Sequence, residues 1–362
     1  MFLNAFLYPI MLGEEFMGIA FSGLIDSCKT KFDLNNLKNK RLGFDAYNVL
    51  FQFVTTIRGI DGEPLKNERG EITSHYSGLF YRFMNISKYT PHITFVFDGV
   101  SHELKKQTKD YRRGKREVAK ENYQKAYDEG NLQDMNKFAR QAATIDSKII
   151  NEAKELILAM GLSYIDAPGE AEAQISYLTN NNLLDYTISQ DYDCILFGSP
   201  HLLKNVAVSG KKKIPHKNVY VDVSPEIIHA DCIYTKLNLT YDKLLWLSIL
   251  IGTDFNEKVQ GIGPQTAYKL VQKYSSFEEI DEYLKEKGKD IPFNYKEIEK
   301  IFRNPNITPS PEIKKGSFSR EEIENILINK AGFSSDRIKN QLDEYIKARE
   351  EKDKQRTINK WF

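Results

Sequence analysis

Three short hydrophobic segments, each closing on an aspartate, constrain this chain more than any other feature. Lys40-Arg41-Leu42-Gly43-Phe44 runs into Asp45, Ile93-Thr94-Phe95-Val96-Phe97 into Asp98, and Tyr186-Thr187-Ile188-Ser189-Gln190 into Asp191. Each reads as a strand, and each is followed by apolar residues at helical spacing. Strands alternating with helices predict an α/β fold with a mostly parallel central sheet and helices on both faces. In such sheets the ligand crevice lies at the carboxyl ends of the strands, so the three aspartates converge on one place. Aspartate is also a favoured helix N-cap, and three separate caps are the competing reading.

Four more acids join them. Asp191 and Asp193 stand two apart, and on an extended segment residues i and i+2 share a face. Glu170 and Glu172, in Pro168-Gly169-Glu170-Ala171-Glu172, open a helical pattern that continues through Ile175 and Leu178. On a regular helix i and i+2 point about 200° apart, so both reach one site only if Glu170 lies at an irregular first turn or one acts through water. Asp254 follows the apolar run Leu244 to Gly252. Seven carboxylates in one place require protonation or a cation. All-oxygen ligation suits Mg²⁺ or Mn²⁺, and the six histidines show no zinc-ligand spacing. Two such ions would stabilise the attacking and leaving oxygens of an in-line phosphoryl displacement, which points to metal-dependent phosphodiester hydrolysis.

The net charge of +1 conceals a segregated distribution. Between His102 and Lys125 nine Lys or Arg face four acids, a local excess of five positive charges. Such a run is commonly a solvated helix face. Its place directly after Asp98, with a second cluster at Lys211, Lys212, Lys213 and Lys217, favours a polyanion instead. No apolar stretch approaches the ~20 residues that a bilayer requires, so no membrane span is expected. Three cysteines (Cys28, Cys194, Cys232) without a C-x-x-C pair predict neither a disulfide framework nor a zinc site, and a reducing compartment is the natural reading.

Several blocks in order are identifiable: LGFDAYNVLFQF, FVFDGV, APGEAEAQISYL, SQDYDCILFG, LIGTDFNEKVQGIGPQTAYKL and the terminal QRTINKWF. The chain resembles the flap endonucleases, the structure-specific 5′ nucleases of replication and repair, and most of all the archaeal type. The resemblance runs from Met17-Gly18 to the last residue. It implies cleavage of 5′ DNA flaps at the single-strand/duplex junction, with 5′ exonuclease activity on the same site. A related enzyme acting on gaps or RNA, and a non-catalytic junction- or clamp-binding scaffold, are the alternatives. The same comparison implies that Asp45, Asp98, Glu170, Glu172, Asp191, Asp193 and Asp254 hold two Mg²⁺ ions. Lys105 and Arg112 stand at positions that contact the scissile phosphate, in a basic arch through which the flap passes.

Further implications concern binding. Gly18 lies beside the DNA path, and Phe51 replaces a tyrosine that stacks on a nucleobase; a core phenylalanine is the equal alternative. Gly261 and Gly263, before the helical pattern Ala267, Leu270, Val271 and Tyr274, resemble a helix–two-turn–helix element that grips duplex backbone and commonly holds K⁺. Gln355, Ile358, Trp361 and Phe362 have the spacing of a sliding-clamp-binding motif. The resulting organisation is a dispensable extension over 1–16, a nuclease region over 17–115, an overlapping arch over 99–150, and an internal nuclease region over 151–275. A helical region over 276–347 and a flexible tail over 348–362 complete it. The expected protein is a monomer of the cytoplasm, associated with the nucleoid, whose partners are branched flap DNA and the clamp.

Overall fold

The computed structural model describes residues 21, 23–59, 62–208, 211–213 and 220–358. Gly18, the first 16 residues, Lys217, Trp361 and Phe362 lie outside them, as do the side chains of Gln355 and Ile358. The predicted strands form β2 (Leu42–Asp45), β3 (Ile93–Phe97) and β5 (Tyr186–Ile188) of an eight-stranded sheet. Its other members are β1 (Lys29–Lys31), β4 (Ser163–Asp166), β6 (His201–Lys204), β9 (Glu226–His229) and β10 (Lys314–Lys315). A separate ribbon pairs β7 (Lys211–Lys213) with β8 (Tyr220–Asp222).

The strand order is β1-β9-β6-β5-β2-β3-β4-β10. The five central strands from β6 to β4 are parallel, and antiparallel β1, β9 and β10 complete the edges. Successive side chains of a strand point to opposite faces, and here both faces are buried. Leu203 and Ile227 join one apolar cluster, and their neighbours Leu202 and Ile228 join the other. From β2 the chain proceeds through β3 to β4, then returns to place β5 on the other side of β2. That reversal opens a crevice between β2 and β5, at their carboxyl ends.

Helices follow the strands. On one face α1 (Ala46–Thr56), α2 (Ser74–Ser87) and α5 (Ser147–Ala159) contribute Phe53, Phe80, Phe83, Leu156 and Ile157 to the core around Phe44 and Phe95. The basic segment forms α3 (Lys105–Asp128), which packs against α4 (Leu132–Gln141). Next come α6 (Ala171–Asn180), the short α7 (Asp193–Leu196), α8 (Ala230–Leu237), α9 (Tyr241–Ile251) and α10 (Pro264–Lys273). The C-terminal helices are α11 (Phe277–Glu286), α12 (Tyr295–Arg303), α13 (Arg320–Glu324) and α14 (Ser335–Ile358).

One expectation changes. A disulfide joins Cys28, in the turn before β1, to Cys232 on α8, 204 residues away. Sequence spacing carries no signal for so distant a pair, and the expectation of no disulfide gives way to a single bond that leaves buried Cys194 as a free thiol. The segment after Lys347, whose low apolar density predicts a flexible tail, has helical backbone to Ile358, in keeping with the good helix propensity of its charged residues.

Candidate active site

Each acid reaches the crevice by its own local route. Asp45 ends β2 and caps α1, its Oδ1 accepting the Asn48 N–H at 3.0 Å. Asp98 follows β3 and accepts the Ala171 N–H at 2.8 Å, at the first turn of α6. Asp45 therefore does cap the helix that follows it, while Asp98 holds the first N–H of a different helix, and both bonds fix their carboxylates in the cluster. Glu170 has extended backbone (φ −74°, ψ 132°) at the N-cap of α6, so it and Glu172 escape the 200° separation of a regular helix.

The turn bearing these two glutamates is tightly held. Gly99 and Val100 donate to the carbonyls of Gly169 and Pro168. A Cβ at Gly99 would lie 2.1 Å from the Ala167 carbonyl, so only glycine permits this approach. The proline-containing segment after α12 adds a second brace, where Gln174 exchanges two 2.8 Å hydrogen bonds with the backbone of Thr308.

The D-x-D pair is arranged differently from the spacing rule. Tyr192 is already helical and Asp193 opens α7, so Asp191 and Asp193 do not share one face of an extended segment. Asp191 enters the central group, and Asp193, 1% exposed, sits deeper beside it. One carboxylate oxygen from each of Asp45, Glu172 and Asp191 falls within 4.8 Å of the others. Burial first, and neighbouring acids second, push all three above the usual carboxylate range: Asp45 to about 7, Glu172 and Asp191 well above. Glu170 Oε1 and Glu172 Oε1 are buried and accept no hydrogen bond. Oxygen-only ligands, crowding and orphaned acceptors together fit a hard divalent cation.

The basic arm meets the acids directly. Lys105 and Arg112 are seven residues apart on α3, hence on the same side of the helix. Lys105 pairs with Glu170 and lies 3.2 Å from Asp254, while Arg112 Nη2 donates to Asp254 Oδ1 at 2.7 Å. Burial opposes ionisation of Asp254, yet Lys105 and Arg112 hold its carboxyl below the usual range. Burial likewise disfavours the Lys105 ammonium, but Asp254 and Glu170 raise it well above an ordinary lysine.

Other expected positions are more peripheral. Phe51 is half-buried, lies parallel to Tyr47 (ring centres 6.3 Å apart, 9° between planes) and packs on the cluster of Val54, Ala143 and Ile149. Gly261 adopts φ +72°, and Gly263 caps α10 with Pro264 at its first position. Lys289 donates to the Gly261 carbonyl at 3.2 Å. Sequence reasoning missed Asn48, whose buried amide donates to Asp191 at 3.0 Å, and Lys204, whose ammonium sits 3.8 Å from the Tyr192 ring centre. Asn48 lies within the LGFDAYNVLFQF block but carries no charge to mark it, and a polar residue one turn after a strand-end aspartate is its hint; Lys204 lies outside the identified blocks.

Comparison with known proteins agrees with this geometry. Residues 17–119 match the XPG N-terminal domain and residues 161–254 the XPG I-region. Flap endonuclease 1 of Saccharolobus solfataricus is 38% identical over 344 residues, covering 94% of this chain and 99% of that protein. The Nanoarchaeum equitans protein of the same name is 39% identical over 332 residues, 92% of this chain and 96% of its own. The solved flap endonuclease-1 from Methanococcus jannaschii superposes with a TM-score of 0.67 at 31% identity, over 90% of this chain and 97% of that one. The catalytic core of Rad2 in complex with DNA substrate shares the fold, with a TM-score of 0.65 at 22% identity over 91% and 99% of the two chains. On the matched domains, the near-full-length identity and the shared fold, this chain belongs to the flap endonuclease family.

Proposed function

We propose that this protein is a structure-specific DNA nuclease that hydrolyses the phosphodiester at the junction of a 5′ flap and duplex, with 5′ exonuclease activity at the same centre. The observation that carries this reading is the buried trio Asp45, Glu172 and Asp191, in the same acid cluster as Glu170 and Asp254, on which two cations from α3 converge. A scaffold that only binds junctions has no use for seven converging acids, and the complete set does not favour that alternative.

The trio would hold Mg²⁺, with Asp98, Glu170, Asp193 and Asp254 around it. Divalent ions, when bound, supply positive charge to the scissile phosphate and to the oxygens entering and leaving it. Lys105 offers a compact ammonium and Arg112 a planar fork of donors to the phosphate oxygens. Asp254 holds both cations at the crevice, so phosphate binding requires only that they exchange one oxygen acceptor for another. Tyr111 and Val118, exposed on α3 and seven residues apart, offer apolar surface to unpaired bases of a strand passing beneath it.

The duplex would rest on the turn of Gly261 and Gly263, where a helix N-terminus and close backbone favour phosphate. K⁺ at this element, a monomeric state and clamp binding through Gln355, Ile358, Trp361 and Phe362 rest on the sequence. Removing residues 357–362 should abolish stimulation by the sliding clamp while sparing cleavage of free flap DNA. The deciding experiment for the activity is incubation with a labelled double-flap DNA, with Mg²⁺ or with chelator. Cleavage at the junction only with Mg²⁺ is expected; no Mg²⁺-dependent product would sink the reading.

A further inference from the structure

Asn48 lies one turn into α1, 5% exposed, between two acids of the central trio. Its backbone N–H donates to Asp45 Oδ1 and its side-chain Nδ2 to Asp191 Oδ2, both at 3.0 Å. A carboxylate only accepts, so the amide nitrogen, not the oxygen, faces Asp191. One residue thus ties the end of β2 to the segment after β5, across the point where the strand order reverses.

The chemistry at this position is restrictive. Asp45, Asp193 and Asp254 all repel Asp191, and a free carboxylate there would rotate away from them. A cationic side chain in place of Asn48 would neutralise the site; an acidic one would add another carboxylate. A neutral donor of fixed reach holds Asp191 in place and leaves its charge and second oxygen for a ligand. Groups that orient metal ligands through hydrogen bonds commonly set affinity or activity by about 10–100-fold.

We propose that Asn48 is a positioning residue that holds Asp191 toward Asp45 and Glu172 and thereby sets the affinity of the centre for its divalent cation. This rests on the metal-dependent reading above and specifies how that site is held. Full-length Asn48→Leu keeps the side-chain volume and removes the donor. Mn²⁺ titration of the DNA-free protein, followed by the electron paramagnetic resonance of free Mn²⁺, should show binding about 10–100-fold weaker than in the unmodified protein. In single-turnover flap cleavage the Mg²⁺ midpoint should rise by a similar factor, and excess Mg²⁺ should restore most of the rate.

A residue that merely packs would lower the rate equally at all Mg²⁺ concentrations. Mn²⁺ affinity within threefold of the unmodified protein, or an unchanged Mg²⁺ midpoint, overturns the proposal. If the leucine variant does not fold, Asn48→Ala is read by the same criteria; if neither folds, the amide is a structural element and the assignment falls. Failure of the unmodified protein to bind Mn²⁺ would instead remove the metal-dependent reading, so the two ideas fail separately.

Discussion

The two halves of the acid cluster solve the same electrostatic problem in opposite ways. Around Asp254 and Glu170 the chain supplies its own cations, Lys105 and Arg112; Asp254 ionises more readily than an ordinary aspartate, while burial keeps Glu170 above its ordinary value in spite of Lys105. Around Asp45, Glu172 and Asp191 it supplies a neutral amide from Asn48, and all three resist ionisation. The paired half is held by the protein. The trio is held against mutual repulsion by the fold, and stores that repulsion as affinity for a cation. Removing one charge should therefore stabilise one half and destabilise the other.

The largest effect is expected in the trio. Asp191→Asn keeps the shape and removes a charge needed to hold cation at the reacting phosphate. Single-turnover flap cleavage should fall by roughly 10³-fold, corresponding to the several kcal/mol a metal centre contributes. In chelator the same variant should melt at a higher temperature than the unmodified protein, because one repelling carboxylate is gone. Flap DNA affinity, carried by many bases, should change little. A lowered melting temperature would break the contrast between the two halves.

Lys105→Met tests the other half. Breaking a buried ion pair from one side leaves an uncompensated charge, at about 3–5 kcal/mol, and Lys105 faces both Glu170 and Asp254. The melting temperature in chelator should fall, opposite in sign to Asp191→Asn, and cleavage should fall as well. Equal melting temperatures for the two variants would mean that the cluster is screened uniformly.

How much of this was legible beforehand follows from the kind of signal each part carries. The strand-end aspartates and the basic run from His102 to Lys125 are local patterns, the choice of Lys105 and Arg112 within that run comes from the family resemblance, and the folded chain brings them together. The edges β1, β9 and β10 are two to four residues long, too short for alternation to register. The Cys28–Cys232 bond depends on β1 pairing with β9, which places the preceding turn next to α8. Asp193 lies beside Asp191 by a different geometry from the extended D-x-D pattern, because the turn into α7 begins at Tyr192, where sequence cannot tell an extended segment from an irregular one. Asn48 sits inside the LGFDAYNVLFQF block but carries no charge; only the contact with Asp191 reveals its role.

A smaller effect concerns pH. The trio's folded-state pKa values lie above ordinary carboxylate values, Asp45 at about 7 against 3.8. Between about pH 4 and pH 7 the trio therefore binds more protons in the folded than in the unfolded state, and its contribution to stability falls as pH rises through that window. In chelator the melting temperature should decline from pH 4.5 to pH 7.5 by more in the unmodified protein than in Asp191→Asn. Added Mg²⁺, which favours the ionised trio, should raise the melting temperature more at pH 7.5 than at pH 5. A Mg²⁺ shift independent of pH would separate metal binding from these acids.

The smallest expected effect asks whether the paired half needs charge or geometry. Arg112→Lys keeps a cation for Asp254 but replaces a planar fork with a point charge. Asp254 also keeps Lys105 at 3.2 Å, so the carboxylate is never left unpaired and the melting temperature should move by no more than a degree or two. Phosphate recognition is different, because a guanidinium can present two parallel donors to two oxygens and an ammonium cannot. Single-turnover cleavage should therefore fall by about tenfold, with DNA affinity nearly unchanged. Comparison with Arg112→Ala completes the test: if lysine retains the full rate, Asp254 and Arg112 act on the phosphate through net charge alone. If lysine is as slow as alanine, the fork is what the paired half provides, and its ion pair with Asp254 serves to aim it.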